Sequence, residues 1–276
     1  MTLLAIPYVQ LPPIRLFRVP IQPFGVLVGI GLIVGYLLGR RRAAVTGLDP
    51  QAATDGMIIA VLGALVMAHI IDVVLYYPEE VRANPLVLLT IWSDISSVGG
   101  FLGGGLGLYF YCNWRGLPLR PYVDATVFGL VPAWIFGRMG CAVAHDHLGG
   151  PTHFFLGVRF PDGIVRHDLG FEEMLFAALL TVVLYTLRRV RPFEGFHTAV
   201  VLLLYAPVRF LLDFLRVADR TYLRLTPAQY FCVAMAATGV YLIVTSSQRR
   251  PGQAKMRNGP PRSPVPEAAA RRPGEP

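Results

Sequence analysis

The sequence has 276 residues, of which 54% are hydrophobic and only 15% are charged, and its mean hydropathy of +0.52 is typical of an integral membrane protein. It carries 25 lysine and arginine residues against 17 acidic ones, but many arginines flank apolar segments, so membrane topology explains the net charge of +8 better than nucleic-acid binding does. The three cysteines form no CxxC pair, which argues against a disulfide framework or a zinc ribbon.

The apolar segments predict an all-α integral membrane protein, a bundle of about seven transmembrane helices with a small extracytoplasmic head region. Residues 1–22 are rich in proline and predict an interfacial segment, and residues 23–246 form the predicted seven-helix domain. Residues 247–276, rich in proline, arginine, glycine and alanine, predict a disordered basic cytoplasmic tail. The spans are predicted at about 23–39, 56–77, 98–112, 123–143, 171–187, 196–215 and 227–246.

Arginine clusters determine the predicted orientation. The clusters at 40–42, 115–120 and 188–191 all fall on one side of the seven-span alternation. Because short loops rich in arginine face the cytoplasm, the N-terminus is predicted outside and the C-terminus in the cytoplasm. The connecting loop 144–170 is then extracytoplasmic.

The third span begins with a run of glycines that includes Gly99 and Gly100. Glycines four residues apart allow a second helix or a lipid chain to approach the backbone closely. A phosphate-binding loop of a soluble protein is the competing interpretation, but no Gly-Lys-Ser/Thr follows the run.

An arginine and a polar cluster lie at the end of the fourth span. Arg138 follows Gly137 and a long apolar stretch, and His145-Asp146-His147 comes seven residues later. An ionisable group within a membrane span indicates a function by default, although an arginine near a helix end can also extend its side chain to the interface. The spacing of the histidines in this loop matches no zinc signature, so no metal site is predicted.

A second polar stripe runs along the sixth span. Tyr205, Arg209, Asp213 and Arg216 follow one another at intervals of three or four residues, which places them on one helix face. A structural ladder of ion pairs is one explanation. Together with Arg138, however, these arginines outnumber the nearby aspartates, and the excess positive charge predicts a site for an anionic group such as phosphate.

Two carboxylates begin the fifth span. Glu172 and Glu173 lie in a predicted first helical turn, where an acidic side chain interacts favourably with the helix dipole. This is a sufficient explanation for Glu172, whereas Glu173 lies one residue deeper in the span.

Together these motifs resemble the prolipoprotein diacylglyceryl transferase family of bacterial inner membranes, over about residues 21–245. The family run Gly-Arg-x-Gly-Asn-Phe-x-Asn-x-Glu-x-x-Gly is matched at Gly137, Arg138, Gly140 and Gly149, with Asp146 in place of the glutamate. The family pattern Tyr-x-x-x-Arg-x-x-x-Glu-x-x-Arg is matched at Tyr205, Arg209, Asp213 and Arg216. Residues 167–173 and 225–229 are similar to two further family segments.

The sequence departs from the family at further positions. Val98 stands where the family usually has a histidine, and Phe24 where it has a tyrosine. Cys141 and Ala144 replace the two asparagines of the first motif. We expect Cys141 to be structural, since the reacting thiol in this family belongs to the substrate.

The resemblance implies transfer of the diacylglyceryl group of phosphatidylglycerol to the lipobox cysteine thiol of a prolipoprotein signal peptide, without a metal or an organic cofactor. Arg138 and Arg209 would hold the phosphate, and Asp146 would orient the headgroup or accept the proton, with His145 as a further candidate base. The residues expected to bind substrate are Gly99, Gly100, Gly137, Gly149, Glu173, Tyr205, Asp213 and Arg216. The expected partners are membrane lipid and prolipoprotein, and the expected state is a monomer in the bacterial inner membrane that binds no nucleic acid.

Two alternatives belong to other classes. A catalytically altered paralogue that binds membrane lipid or lipoprotein would explain the missing histidine and asparagines. A small-molecule transporter would explain the glycine-rich span and the interior charges, but the sequence shows no inverted repeat.

Overall fold

The computed structural model describes residues 5–16, 19–89, 96–217 and 219–247. The predicted tail, apart from the backbone of Ser247, lies outside these ranges, and so does part of the predicted connection 78–97. Short 3-10 helices cover Pro85–Leu89, Leu187–Arg189 and Asp213–Leu215. The α-helices are α1 (Pro23–Val45), α2 (Pro50–Tyr76), α3 (Pro78–Ala83), α4 (Ser97–Trp114), α5 (Leu119–Ala144), α6 (Leu169–Thr186), α7 (Phe196–Leu212) and α8 (Pro227–Ser247).

Six helices in the described part of the chain are long and apolar enough to cross a membrane: α1, α2, α5, α6 with its 3-10 extension, α7 with its 3-10 extension, and α8. The mostly helical structure is therefore consistent with the predicted all-α membrane protein. The third predicted span, α4, has 18 residues but is not among the six. Its six glycines contribute little hydropathy, and it ends in the polar segment Asn113–Trp114.

Local sequence signals explain where two of these helices begin. The Asp49 carboxylate accepts a hydrogen bond from the backbone N–H of Gln51 at 2.8 Å, and Pro50 occupies the first helical position of α2. At the start of α6, the Asp168 carboxylate accepts from the backbone N–H of Phe171 at 3.0 Å. Both aspartates satisfy donors that a helix N-terminus leaves without partners.

Glycines allow close contacts between helices. The longest interfaces join α1 with α5, α2 with α4, α5 with α6, and α7 with α8. Between α2 and α4, a Cβ added to Gly103 would lie 2.2 Å from the carbonyl oxygen of Gly63. A larger residue at this position would push the helices apart, as expected for a glycine-rich membrane interface.

The loop between α5 and α6 folds into a small sheet with the N-terminal segment. Its strands are β1 (Ile6–Pro7), β4 (Leu148–Pro151), β5 (Val158–Arg159) and β6 (Val165–Asp168), in the spatial order β1-β5-β6-β4. Strand β1 is parallel to β5, and the other pairs are antiparallel. A separate antiparallel pair joins β2 (Ile14–Leu16) and β3 (Val19–Ile21).

Candidate active site

A buried carboxylate in α6 lies at the centre of the polar site. Glu173 is in the second turn of α6, and its side chain is only 2% exposed. Oε1 lies 3.0 Å from Nη2 of Arg138, and Oε2 lies 3.7 Å from Nε of Arg209. The Tyr205 hydroxyl donates a hydrogen bond to the same carboxylate. Residues from α5, α6 and α7 therefore meet at one acidic group.

Aromatic residues enclose this ionic centre. Trp134 precedes Arg138 by one helical turn, so its indole lies 4.9 Å from the guanidinium and donates a hydrogen bond of 3.4 Å to Glu173. Phe101 of α4 stacks obliquely on Trp134 and edge-on against Tyr205, with ring centroids 4.8 and 5.8 Å apart. These rings keep bulk water away from the ion pairs, which strengthens the interactions.

The stripe on α7 continues beyond the end of the helix. Nη1 of Arg209 lies 2.8 Å from Oδ1 of Asp213, which begins the 3-10 turn after α7. The Thr226 hydroxyl donates to Asp213, and Arg216 pairs with Asp219. The predicted grouping on one helix face therefore corresponds to a continuous network.

The charge balance differs from the one expected from the sequence. The excess of positive charge was inferred because Arg138, Arg209 and Arg216 outnumber the aspartates near them in the sequence. Glu173, together with Asp213 and Asp219, supplies one carboxylate for each of the three arginines. The inferred excess left out Glu173, which was expected to bind substrate and whose carboxylate lies between Arg138 and Arg209.

One arginine nevertheless keeps a free donor. Nε of Arg138 is buried and has no hydrogen-bond partner in the described part of the chain, and Nη2 contacts Glu173 only as an ion pair. Such a donor is energetically costly unless a ligand or water satisfies it. A phosphate oxygen is a suitable acceptor, since it forms short charge-assisted hydrogen bonds with guanidinium groups.

A narrow cleft of only about 10 Å³, room for little more than one water molecule, lies beside this site between α4, α7 and α8. Its wall includes Val98 and Phe101 of α4, Tyr205 and Arg209 of α7, and Phe231 of α8. Val98, the position at which the resemblance implies a histidine, therefore faces the same cleft as Arg209. The surface at this position is apolar.

His145 occupies a different position from the one expected for a base. It ends α5 with the left-handed backbone value φ 52°, and its ring stacks on Tyr8 at 4.0 Å. One ring nitrogen lies 2.5 Å from the Asp168 carboxylate and the other 3.2 Å from the carbonyl oxygen of Val9. With both nitrogens engaged, His145 joins the N-terminal segment to the start of α6.

Asp146 lies in the same turn and is directed towards His147. Oδ1 of Asp146 is 2.5 Å from Nδ1 of His147. Burial favours the neutral form of Asp146, but the hydrogen bond and positive charge of His147, with the charge of Arg138, outweigh it and lower the pKa of Asp146 below its ordinary value. An ionised Asp146 can orient a polar headgroup but is a weak proton acceptor near neutral pH.

The predicted glycines have different surroundings. A Cβ on Gly99 would lie 2.1 Å from the carbonyl oxygen of Met67 in α2, whereas one on Gly100 or Gly137 would meet nothing within 4 Å. A Cβ added to Gly149 would lie 2.6 Å from the Cβ of His167 in β6. Gly99 and Gly149 thus permit close packing within the protein, and Gly100 and Gly137 border open space.

The sequence analysis singled out none of the site residues Tyr8, Trp134, Asp168 and Thr226, although the last two lie in the family-like segments 167–173 and 225–229. The position of Trp134 one turn before Arg138 and that of Asp168 three residues before Phe171 are recognisable signals. The contacts of Tyr8 and Thr226 join segments more than ten residues apart and have no local signature.

Six apolar helices, with two arginines buried on one carboxylate between them, define a multi-pass membrane protein with an ionic site inside its helix bundle. A family profile described as prolipoprotein diacylglyceryl transferase matches residues 13–245. The chain therefore belongs to the prolipoprotein diacylglyceryl transferase family.

Individual relatives agree with this assignment. A phosphatidylglycerol–prolipoprotein diacylglyceryl transferase of Nitratidesulfovibrio vulgaris (strain DSM 19637 / Miyazaki F) is 28% identical over 261 residues, covering 90% of this chain and 98% of the relative. The enzyme of the same name from Thermus thermophilus is 30% identical over 221 residues, covering 70% of this chain and 78% of the relative. The enzyme of the same name from Clostridium tetani is 24% identical over 239 residues, covering 83% of this chain and 94% of the relative.

Proposed function

We propose that this protein transfers the diacylglyceryl group of phosphatidylglycerol to the lipobox cysteine thiol of prolipoproteins. The observation that supports this most strongly is the pair Arg138 and Arg209, held on Glu173 with the Nε donor of Arg138 free. The thiol gives its proton to solvent, its sulfur attacks the glycerol carbon that bears the phosphoester, the C–O bond breaks, and glycerol phosphate leaves with the electron pair. The arginines stabilise the charge that develops on the departing phosphate.

The remaining site residues have supporting roles in this proposal. Glu173 and Tyr205 orient the two guanidinium groups, and Asp213 fixes Arg209 from the other side. Asp146 orients the glycerol headgroup from the end of α5. Gly100 and Gly137 leave space for the lipid next to the site, whereas Gly99, Gly149 and Arg216 support the surrounding backbone.

We also propose the arrangement in the membrane. Helix α4 completes the set of seven spans as the third in chain order, since it packs along α2 and its glycines allow close contact between the two backbones. The sheet formed by β1, β4, β5 and β6 is then the extracytoplasmic head region of a protein in the bacterial inner membrane. The N-terminus lies outside and the C-terminus lies in the cytoplasm.

Transfer can be tested with the purified chain in phosphatidylglycerol vesicles and a lipobox peptide. The expected result is a diacylglyceryl mass shift on the peptide cysteine and none on a serine peptide. Arg138→Lys and Arg209→Lys should each reduce kcat/KM by about 10- to 100-fold, because lysine keeps the charge but loses the planar fork and one charge-assisted hydrogen bond of about 1.5–3 kcal/mol. Arg120→Lys is a matched control, since Arg120 contacts Thr245 and Ser246 at the far end of α5.

Val98 favours a second candidate, a paralogue that binds the lipid without transferring it, because the cleft wall is apolar where the resemblance implies a histidine. Phosphatidylglycerol that co-purifies with the wild type but not with Arg138→Ala, without any mass shift on the peptide, would favour this candidate. The absence of both binding and transfer would contradict the proposal and the alternative together.

A further inference from the structure

A histidine and a carboxylate form a close pair in the turn after α5. Nδ1 of His147 lies 2.5 Å from Oδ1 of Asp146. An ionised carboxylate can only accept a hydrogen bond, so in the neutral imidazole the proton is on Nδ1 and Nε2 keeps its lone pair. Within the described part of the chain, Nε2 has no hydrogen-bond partner. A carboxylate that orients a histidine in this way is the arrangement of a general base.

The backbone of His147 is fixed at the start of α6. Its carbonyl oxygen accepts a hydrogen bond of 3.1 Å from the backbone N–H of Leu169, the first residue of that helix. Glu173 follows Leu169 by four residues, so it lies on the same helix face about 6 Å deeper along the axis. The backbone of His147 is therefore about one helical turn from the carboxylate that two arginines share, and a protonated His147 interacts electrostatically with this carboxylate.

The thiol of Cys141 lies between His147 and the arginine site. One nitrogen of the imidazole is within 4.8 Å of Sγ of Cys141, and this sulfur is 3.9 Å from Nη1 of Arg138. The two helices are close here, since a Cβ added to Gly170 of α6 would lie 3.0 Å from the Cβ of Cys141. The imidazole and the guanidinium group are thus neighbours of the same sulfur atom, which places His147 at the rim of the arginine site.

This position suits a base for transfer to a thiol. Under the proposed function, the carbon under attack is one P–O–C linkage away from the phosphate that Arg138 and Arg209 hold. A general base works within about 2.6–3.2 Å of the group that it deprotonates, and an attacking atom starts about 3–3.5 Å from its target. The base must therefore lie within roughly 6–7 Å of the carbon, next to the phosphate site but not inside it.

An ordinary surface ion pair is the competing explanation for His147. Such pairs form between exposed side chains, whereas the side chain of His147 is only 22% exposed and its backbone is bonded to α6. Two other histidines of this loop are less suitable bases. His145 has both nitrogens engaged, and His167 is paired with Glu172, with no hydrogen bond or ion pair to either arginine among the described residues.

We propose that His147, oriented by Asp146, is the general base that accepts the proton of the lipobox cysteine thiol. This inference rests on the proposed transferase function. It assigns to His147 the proton transfer that the resemblance leaves to Asp146 or His145. Asp146 is then a positioning residue for the imidazole, in addition to its proposed contact with the headgroup.

The step balances without a further reactant. Nε2 of His147 takes the proton from the acceptor thiol, and the sulfur forms the S–C bond to the glycerol carbon as the C–O bond breaks. The electron pair remains on the released glycerol phosphate, next to Arg138. The imidazolium then gives its proton to solvent through the exposed part of the ring, so the thiol proton reaches solvent by way of His147.

The test measures transfer by the purified full-length protein in phosphatidylglycerol vesicles with a lipobox peptide. His147→Gln should lower kcat at pH 7 by about 100-fold or more, with little change in KM, because general base catalysis contributes about 10²- to 10⁴-fold. A peptide with selenocysteine in place of cysteine separates this role from a structural one. Its selenol is ionised at neutral pH and needs no base, so most of the loss should disappear with this peptide.

The pH profile is the second measurement. Histidine ordinarily changes charge between about pH 5 and 8, so transfer by the wild type should level off near neutral pH. Transfer by His147→Gln should instead keep rising towards about pH 8.5, the ordinary pKa of the acceptor thiol. The charged or titratable groups around the imidazole are Asp146, Cys141 and Arg138 at the end of α5 and Glu173 in α6, whereas the carboxylate of Asp168 in β6 bonds His145.

His167→Gln is the matched control, since it removes the other histidine of this loop that is paired with a carboxylate, at 2.6 Å from Glu172. It should keep the wild-type form of the pH profile. If His147→Gln does not fold, His147→Ala with added imidazole replaces it, and imidazole should restore part of the lost rate.

Three results would overturn the inference and leave the proposed function intact. They are an undiminished kcat in His147→Gln, equal losses with the cysteine and selenocysteine peptides, and a change of the pH profile in His167→Gln instead of His147→Gln. A wild type that transfers to neither peptide would overturn the proposed function and this inference together.

Discussion

The substitution Glu173→Gln removes the carboxylate charge that two arginines share. Glutamine has nearly the same volume and can still accept hydrogen bonds from Tyr205 and Trp134, so the change isolates the charge. Arg209 retains Asp213 at 2.8 Å, but the structure shows Arg138 paired with Glu173 alone among the described carboxylates. Most of the effect should therefore arise from Arg138.

The expected magnitude follows from the burial of the pair. Arg138 and Glu173 have side chains 4% and 2% exposed, and removing one partner of such a pair costs about 3–5 kcal/mol, because it leaves an uncompensated buried charge. For a chain of this size each kcal/mol corresponds to roughly 2–4 °C, so the midpoint of thermal unfolding in detergent should fall by about 10 °C.

A second variant separates the charge effect from loss of packing. Adding Arg138→Met to Glu173→Gln removes the uncompensated cation, so the double variant should be more stable than the sum of the two single changes by about 2 kcal/mol. Glu172→Gln is the matched control, since Glu172 is a neighbouring buried carboxylate that bonds His167 instead. An unfolding midpoint of Glu173→Gln within 2 °C of the wild type, or strict additivity in the cycle, would refute the central role of Glu173.

Three further predictions concern packing, pH and topology. Gly99→Ala should lower the free energy of unfolding by about 2 kcal/mol or more, because the added Cβ would meet the backbone of α2. Gly100→Ala is the control and should not lower it, since a Cβ there would meet nothing within 4 Å. Chemical unfolding of the two variants and the wild type measures the difference. A hydrogen bond from the Ile164 backbone N–H, together with Arg166, lowers the pKa of Asp162. This stabilisation of the turn is present above the ordinary pKa of aspartate and is lost as pH falls through the lowered pKa. Protection of the Ile164 amide against hydrogen exchange should therefore decrease only under acidic conditions. Asp162→Asn should remove this pH dependence. Cysteines introduced into the loop 145–170 should react with an impermeant reagent in intact cells, and labelling only after lysis would reverse the proposed orientation.

The helices were predictable because their signals are local. Apolar runs of bilayer length gave all six helices that meet the length and hydropathy requirement, within a few residues at most ends. The largest differences are of six residues: α1 ends at Val45 and not at 39, and α2 begins at Pro50 and not at 56. The start of α2 is the instructive one. Asp49 and Pro50 signal that start, but the helix extends beyond the apolar run, and hydropathy alone does not detect its polar first turns.

The arrangement of the site was only partly predictable, because the deciding contacts are long-range. One motif supplies Arg138 and another Arg209, and their residue types indicated a polar interior. The segment 167–173 between them indicated that Glu173 belongs to the site, but not that its carboxylate pairs with both guanidinium groups. His145 was suggested as a base from its proximity to Asp146 in sequence, and no local signal showed that the left-handed turn directs its ring to Tyr8 and Asp168.

The balanced charge of the site affects how catalysis would proceed under the proposed function. A site with excess positive charge would bind the phosphodiester strongly before reaction, and strong ground-state binding does not accelerate the chemical step. Here Glu173 and Asp213 already compensate Arg138 and Arg209, so the intact lipid, with one negative charge, gains little from them. As the C–O bond breaks, the phosphate acquires a second negative charge, and the free Nε donor of Arg138 can respond without reorganisation of the enclosed site. The arrangement therefore favours the transition state over the bound lipid, and Arg138→Lys should lower kcat more than it raises KM.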